Sequence, residues 1–145
     1  MRISVSNIAW SPTNDDLVAV MLAKHGVDAI DVAPGKYFRD FATTSSEEIA
    51  EVRRWWEDRG VEIVGMQALL FGTQGLNLFD KPAVRERMLG YLGHVCRIGR
   101  GLGACFLVFG SPRNRDRSAL DDHAAADIAN EFFCRLGDIA ADQDT

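Results

Sequence analysis

Apolar and polar positions along the chain fall into a pattern that recurs four times. Short, nearly continuous apolar runs occupy Ile3–Ile8, Ala29–Ala33, Val61–Leu70 and Cys105–Phe109. After each run comes a longer segment whose apolar residues recur every three or four positions. The runs read as strands and the segments as helices with one buried stripe. The first helix is expected to start near Asp15 and carries Leu17, Val20 and Met21. The second starts near Ser46, with Ile49, Val52, Trp55 and Trp56; Ser45 and Glu48 before and within it form a capping-box pair. The third starts at Pro82, where a missing N–H costs nothing, and carries Val84, Met88, Tyr91, Leu92, Val95 and Ile98. The fourth starts near Asp121 and carries Ile128, Phe132, Leu136 and Ile139.

The joints between units are alike. "KHGVDAID", "DRGVEIVG" and "GLGACFLV" each close a helix at a glycine (Gly26, Gly60, Gly103) and enter a strand within a residue or two. Glycine at that position takes the left-handed conformation that ends a helix. Strands joined through crossover helices are parallel, and such apolar runs suit a parallel sheet covered on both faces. Two architectures use this unit. A doubly wound open sheet usually has a glycine-rich turn after its first strand, but "SNIAWSPTNDD" contains no GxGxxG and no GxxxxGK[ST]. The barrel of eight such units fits the joints, and four units are half of it. The expectation is an α/β chain, residues 1–145 forming one incomplete domain: a parallel (βα)4 half of a TIM (β/α)8 barrel. Its strands should follow in sequential order, with helices on one face. The chain stops at "IAADQDT", where a fifth strand is due, which reads as a chain cut at its midpoint.

Composition narrows the partners. A hydrophobic share of 47% and a charged share of 26% are those of a soluble globular protein. The net charge of −5 argues against a nucleic-acid-binding face. No stretch reaches the roughly 18 apolar residues of a membrane span, and the first residues lack a signal-peptide core. A cytoplasmic protein is expected, with neither nucleic acid nor membrane as partner. Cys96, Cys105 and Cys134 stand in apolar contexts without a CxxC, which predicts reduced, buried thiols.

In a parallel barrel, ligand-binding groups lie at the C-terminal ends of the strands. The first end supplies Asn7 and Trp10, and the second supplies Asp31 and Lys36. The third supplies Gln67 and Phe71, and the fourth supplies Ser111, Asn114 and Arg115. Asp31 alternates with Ala29 and Ala33 on the small face of its strand, opposite Ile30 and Val32. A carboxylate inside a barrel needs a partner: a substrate or site cation, or a structural arginine or serine. Gln67 either hydrogen-bonds a ligand or satisfies a loop backbone. Trp10 and Phe71 are either a platform for the apolar face of a sugar or core filler. The arginines of "GSPRNRDR" are either guanidinium forks for a phosphate or carboxylate or a solvated loop paired with Asp116, Asp121 and Asp122. His25, His94 and His123 fall on helices, and HxH and HExxH are absent, so this chain by itself is not expected to build a metal site.

Taken together, "ISVSNIAW", "AIDVAPGKYF", "GMQALLFGTQGLNLF" and "LVFGSPRNR" resemble, in order from residue 3 to residue 115, the N-terminal half of the sugar phosphate isomerase/epimerase family with the xylose-isomerase-like TIM barrel. The resemblance implies proton transfer next to a sugar carbonyl through a metal-stabilised enediolate. It implies a divalent metal (Mn, Mg, Co or Zn) held by Glu, Asp and His residues from the fifth strand onward, so no metal ligand carries over to this chain. The second strand of the family usually bears a glutamate; Asp31, one methylene shorter, is the catalytic candidate. The sugar or sugar phosphate would be bound by Asn7, Trp10, Lys36, Gln67, Phe71, Ser111, Asn114 and Arg115, with Lys36 facing the last three across the mouth. Two other readings remain open: a non-catalytic (βα)4 module that pairs with a second copy, and an endonuclease IV-like DNA repair barrel, against which the acidic balance weighs.

Overall fold

A computed structural model describes residues 2–143; the last two residues of the "IAADQDT" tail lie outside the described part. Four strands, β1 (Ser4–Ser6), β2 (Ala29–Val32), β3 (Glu62–Met66) and β4 (Phe106–Leu107), form one sheet. All neighbours pair in parallel and the order is β1-β2-β3-β4. The first strand is at an edge, which excludes the doubly wound arrangement. The helices are α1 (Asp15–Lys24), α2 (Ser46–Glu57), α3 (Pro82–Leu102) and α4 (Asp122–Asp142). Parallel crossovers between neighbouring strands are right-handed and put their helices on one side.

Local chemistry sets the boundaries. Gly26, Gly60 and Gly103 have φ of +66°, +72° and +80°, so each joint turns through the left-handed region as expected. The Ser45 hydroxyl accepts from the Glu48 N–H at 3.2 Å while the Glu48 carboxylate accepts from the Ser45 N–H at 2.7 Å, completing the capping box. Asp121 is the cap of α4 rather than its first residue: its carboxylate accepts from the Ala124 N–H at 2.8 Å. The strands are shorter than the apolar runs. β1 gives way to a 3-10 turn at Asn7–Ala9, and Ala68, with φ of +55°, turns the chain away after β3.

The sheet's two faces differ sharply. Ile30, Val32, Ile63 and Met66 point to the helices and are buried, together with Trp56, Met88, Leu92, Ile98 and Leu102. On the other face stand Ser4, Ser6, Asp31 and Gly65, and then Phe106 and Val108, which remain 69% and 53% exposed. The expected cover on both faces is therefore present on one only. Two of the three cysteines are not buried as expected. Cys96 is buried in α3, but Cys105 precedes the edge strand β4 and Cys134 lies on the outer side of α4, and both are exposed.

α3 is the central helix of the layer, and two of its glycines permit close approach. Gly99 lies against Leu107 and Met66, and a Cβ on Gly101 would stand 2.6 Å from Ile49 Cγ2 of α2. Ile49 is fully packed and cannot retreat. Gly101→Ala should therefore lower stability by about 1–2 kcal/mol through overpacking, despite alanine's better helix propensity. Gly90→Ala, at an exposed site of the same helix with open space around it, should raise stability by about 0.5–1 kcal/mol. Urea denaturation of the two variants checks the opposite signs.

Candidate functional site

The strand ends build a polar strip on the face away from the helices. Ser4 Oγ donates to Asp31, and Gln67 Nε2 donates to Ser6 Oγ at 2.7 Å. Gly65 of β3 sits in register with Asp31, and a Cβ there would collide with the Asp31 carboxylate. The glycine keeps a place open for the acid. Of the partners considered for Asp31, the structure supplies the serine. The half-buried Asp31 carboxylate and Gln67 amide keep acceptor capacity toward the open face.

A second group ties the end of β1 to the end of β2. Asn7 is buried, and its Oδ1 accepts from the Ala33 N–H at 2.7 Å. Its Nδ2 is a buried side-chain atom without a hydrogen-bond partner among the described residues, the kind of donor that a ligand or water at the strand ends satisfies. Lys36 Nζ donates to the main-chain carbonyls of Asn7, at 2.5 Å, and of Trp10. The Trp10 indole donates to Asp15 at 2.6 Å and packs edge-on to Trp56 at 6.3 Å. Tyr37 donates to the other Asp15 oxygen at 3.1 Å and accepts from the Trp56 indole at 3.1 Å. Trp10 is thus filler with a polar handle. Lys36 is spent on two carbonyls and does not reach across to the fourth strand end. Burial raises the Asp15 carboxyl above its ordinary range against the hydrogen bonds from Trp10 and Tyr37. Burial, and then the Asp15 charge, push the Tyr37 phenol up to about 12. In the sequence Asp15 marks only a helix start, and Tyr37 stands at the end of the second strand run beside Lys36 without a role of its own.

At the fourth strand end Asn114 is buried and works as a pin. Its Nδ2 donates to the Leu76 carbonyl at 2.7 Å and Thr73 Oγ1 at 3.2 Å, and its Oδ1 accepts from Ser111 at 2.5 Å. The β3–α3 loop is fastened there. Of the loop arginines, Arg117 pairs with Asp122. Arg113 and Arg115 are exposed, with no acidic partner among the described residues. They line an open cleft of about 810 Å³ with Phe79, Phe109 and Phe133. Phe109 packs on the rings of α4, so this cleft opens toward the helices rather than over Asp31 and Gln67. Phe71 is 88% exposed on the β3–α3 loop and is not core. The expected single rim is therefore three separate groups.

Solved structures match this arrangement over nearly its whole length. D-Psicose 3-epimerase in the presence of D-fructose superposes with a TM-score of 0.69 at 17% identity, covering 99% of this chain and 50% of that one. The 3-keto-D-glucoside 4-epimerase from E. coli gives 0.68 at 15%, covering 100% and 54%. A sugar phosphate isomerase/epimerase from Parabacteroides distasonis gives 0.68 at 16%, covering 98% and 48%. The fold is half of a TIM barrel. The chain spans about half the length of the solved structures it matches. No family model and no curated protein matches the sequence.

Within this half barrel the donors do not fit a divalent ion. No three His, Cys, Asp or Glu side chains gather among the described residues, and Asp31 faces a hydroxyl rather than a second carboxylate or imidazole. Among the described residues no helix is long and apolar enough to cross a membrane.

The Tyr37 phenol yields a prediction. Its folded pKa stands above the unfolded value of 10.0, so the stability linked to it is intact below pH 10 and is lost as pH rises through about 12. Ultraviolet titration should show a phenol ionising near that upper value. Tyr37→Phe should remove this ionisation and flatten the loss of stability between the two; an unchanged titration curve would refute the assignment.

Proposed function

We propose that this half barrel is the substrate-binding half of a sugar or sugar phosphate isomerase/epimerase. The observation that carries the reading is the match of the whole chain to halves of sugar epimerases, joined to the polar strip of Asp31, Gln67 and their serines on the face that a closed barrel turns inward. Carboxylate, amide and hydroxyl groups in one strip suit a polyol, whose hydroxyls donate and accept in turn. Asp31 would accept from two adjacent hydroxyls, Gln67 would bracket the next, and Asn7 would offer its unpartnered N–H at the strand ends. These residues bind and orient. The donors here do not fit a divalent ion, and we assign the base and the electrophile for proton transfer next to the carbonyl to a complementary half.

The phosphate question rests on Arg115 with Arg113. Lys36, Ser111 and Asn114 are committed to the scaffold, so any anion is met by the two unpaired guanidiniums in their cleft. The location proposed is the cytoplasm, with a small sugar as partner.

The test uses the chain both alone and joined to a complementary half barrel, incubated with ketoses and manganese in deuterated water. The joined protein should incorporate deuterium at the carbon next to the carbonyl, and the 145-residue chain alone should not. Gln67→Ala in the joined protein should lower kcat/KM about 10- to 100-fold, the scale of one or two lost hydrogen bonds to substrate. Arg115→Ala should raise KM tenfold or more for a phosphorylated ketose only. Turnover without exchange would refute proton transfer, and equal effects of Arg115→Ala on both substrate types would refute the anion site.

A further inference from the structure

The half barrel is incomplete along two seams and one face. β1 and β4 each have a single neighbour, so each presents an outer row of backbone N–H and C=O groups. The face away from the helices exposes Phe106 and Val108. The helix layer also ends on apolar side chains at both ends. α1 exposes Leu17, Val20 and Met21 at helical spacing. α4 exposes Phe133 and, a turn further on, Gly137 and Ala141, with open space around Gly137.

The surface area gives the scale. The chain exposes 8575 Å², whereas a compact monomer of 16.0 kDa exposes about 7,400 Å². The excess, on the order of 1,200 Å², is larger than the roughly 800 Å² that one partner contributes to a standard stable interface.

We infer that a second copy of this chain covers that surface and closes an eight-stranded barrel. Four strands and four make the eight of the barrels whose halves this chain matches. A two-fold axis along the barrel brings β4 of each copy beside β1 of the other, parallel at both seams, so the interface closes on itself. The same rotation sets the large side chains of α1 against the small residues of α4 twice, and encloses Phe106 and Val108 in the shared interior. A covalently attached second half would occupy the same surface, so the inference concerns the 145-residue chain. It stands whether or not the proposed sugar chemistry does.

Sedimentation equilibrium of the chain should give twice the mass of 16.0 kDa. Val108→Asp and Met21→Asp should each weaken the dimer at least tenfold while leaving the helical circular dichroism in place. Oxidation of Met21→Cys should yield a covalent dimer through the native Cys134, lost when Cys134→Ser is added; this arm holds if an aspartate variant fails to fold. A monomer, an open-ended series of oligomers, a dimer indifferent to both aspartates, or a cross-link that survives Cys134→Ser would each overturn the inference.

Discussion

The constraint on which the structure depends is parallel pairing of neighbouring strands in sequential order. Each strand must be followed by a helix long enough to carry the chain back, and right-handed crossovers put those helices on one side. The large apolar core lies between the sheet and that layer: Ile30, Val32, Ile63 and Met66 beneath Trp56, Met88, Leu92 and Ile98. The same constraint leaves the other face without cover and gathers all four strand ends at one end of the sheet. Site and vulnerability therefore have one origin. The face that carries Asp31 and Gln67 also exposes Phe106 and Val108, and the strands that position those residues have unpaired edges.

Room for the site is made by what is missing. Gly65 has no side chain where the Asp31 carboxylate lies, and Asn7 Oδ1 and Lys36 Nζ are spent on backbone so that the first two strand ends stay together. The group formed by Asp15, Tyr37, Trp10 and Trp56 locks the loop after β1 against α2. Asn114 does the same for the loop after β3. What is left free of the scaffold is the short strip of Asp31 and Gln67 between these clamps, and the arginines in the cleft beside α4.

Much of the fold was legible because its signals are local. The glycine joints at Gly26, Gly60 and Gly103, the capping box at Ser45 and Glu48, and Pro82 at the head of α3 depend only on neighbours in the chain. Strand lengths were not legible, since a run such as Val61–Leu70 pairs only as far as its neighbours extend and then turns at Ala68. The candidate site was legible as a set of strand ends but not as partnerships. Nothing near Lys36 in sequence marks the carbonyls of Asn7 and Trp10 as its partners, and Asp15 meets Tyr37 only because α1 and the end of β2 come together. The alternation around Asp31 correctly placed it opposite Ile30 and Val32. Of the two readings of Phe71, sugar platform or core filler, its exposure removes the second, and that choice was not legible because it depends on the turn at Ala68 before it.

Amide hydrogen exchange, resolved by residue and followed across protein concentration, tests the half-barrel account most directly. Amides of β2, paired on both sides, should exchange slowly at every concentration. Those at the β1 and β4 seams should exchange quickly in dilute solution and become protected together as concentration rises. Exchange at both seams that ignores concentration, or protection that grows instead on the outer surfaces of α2 and α3, would contradict a half barrel completed through its open edges.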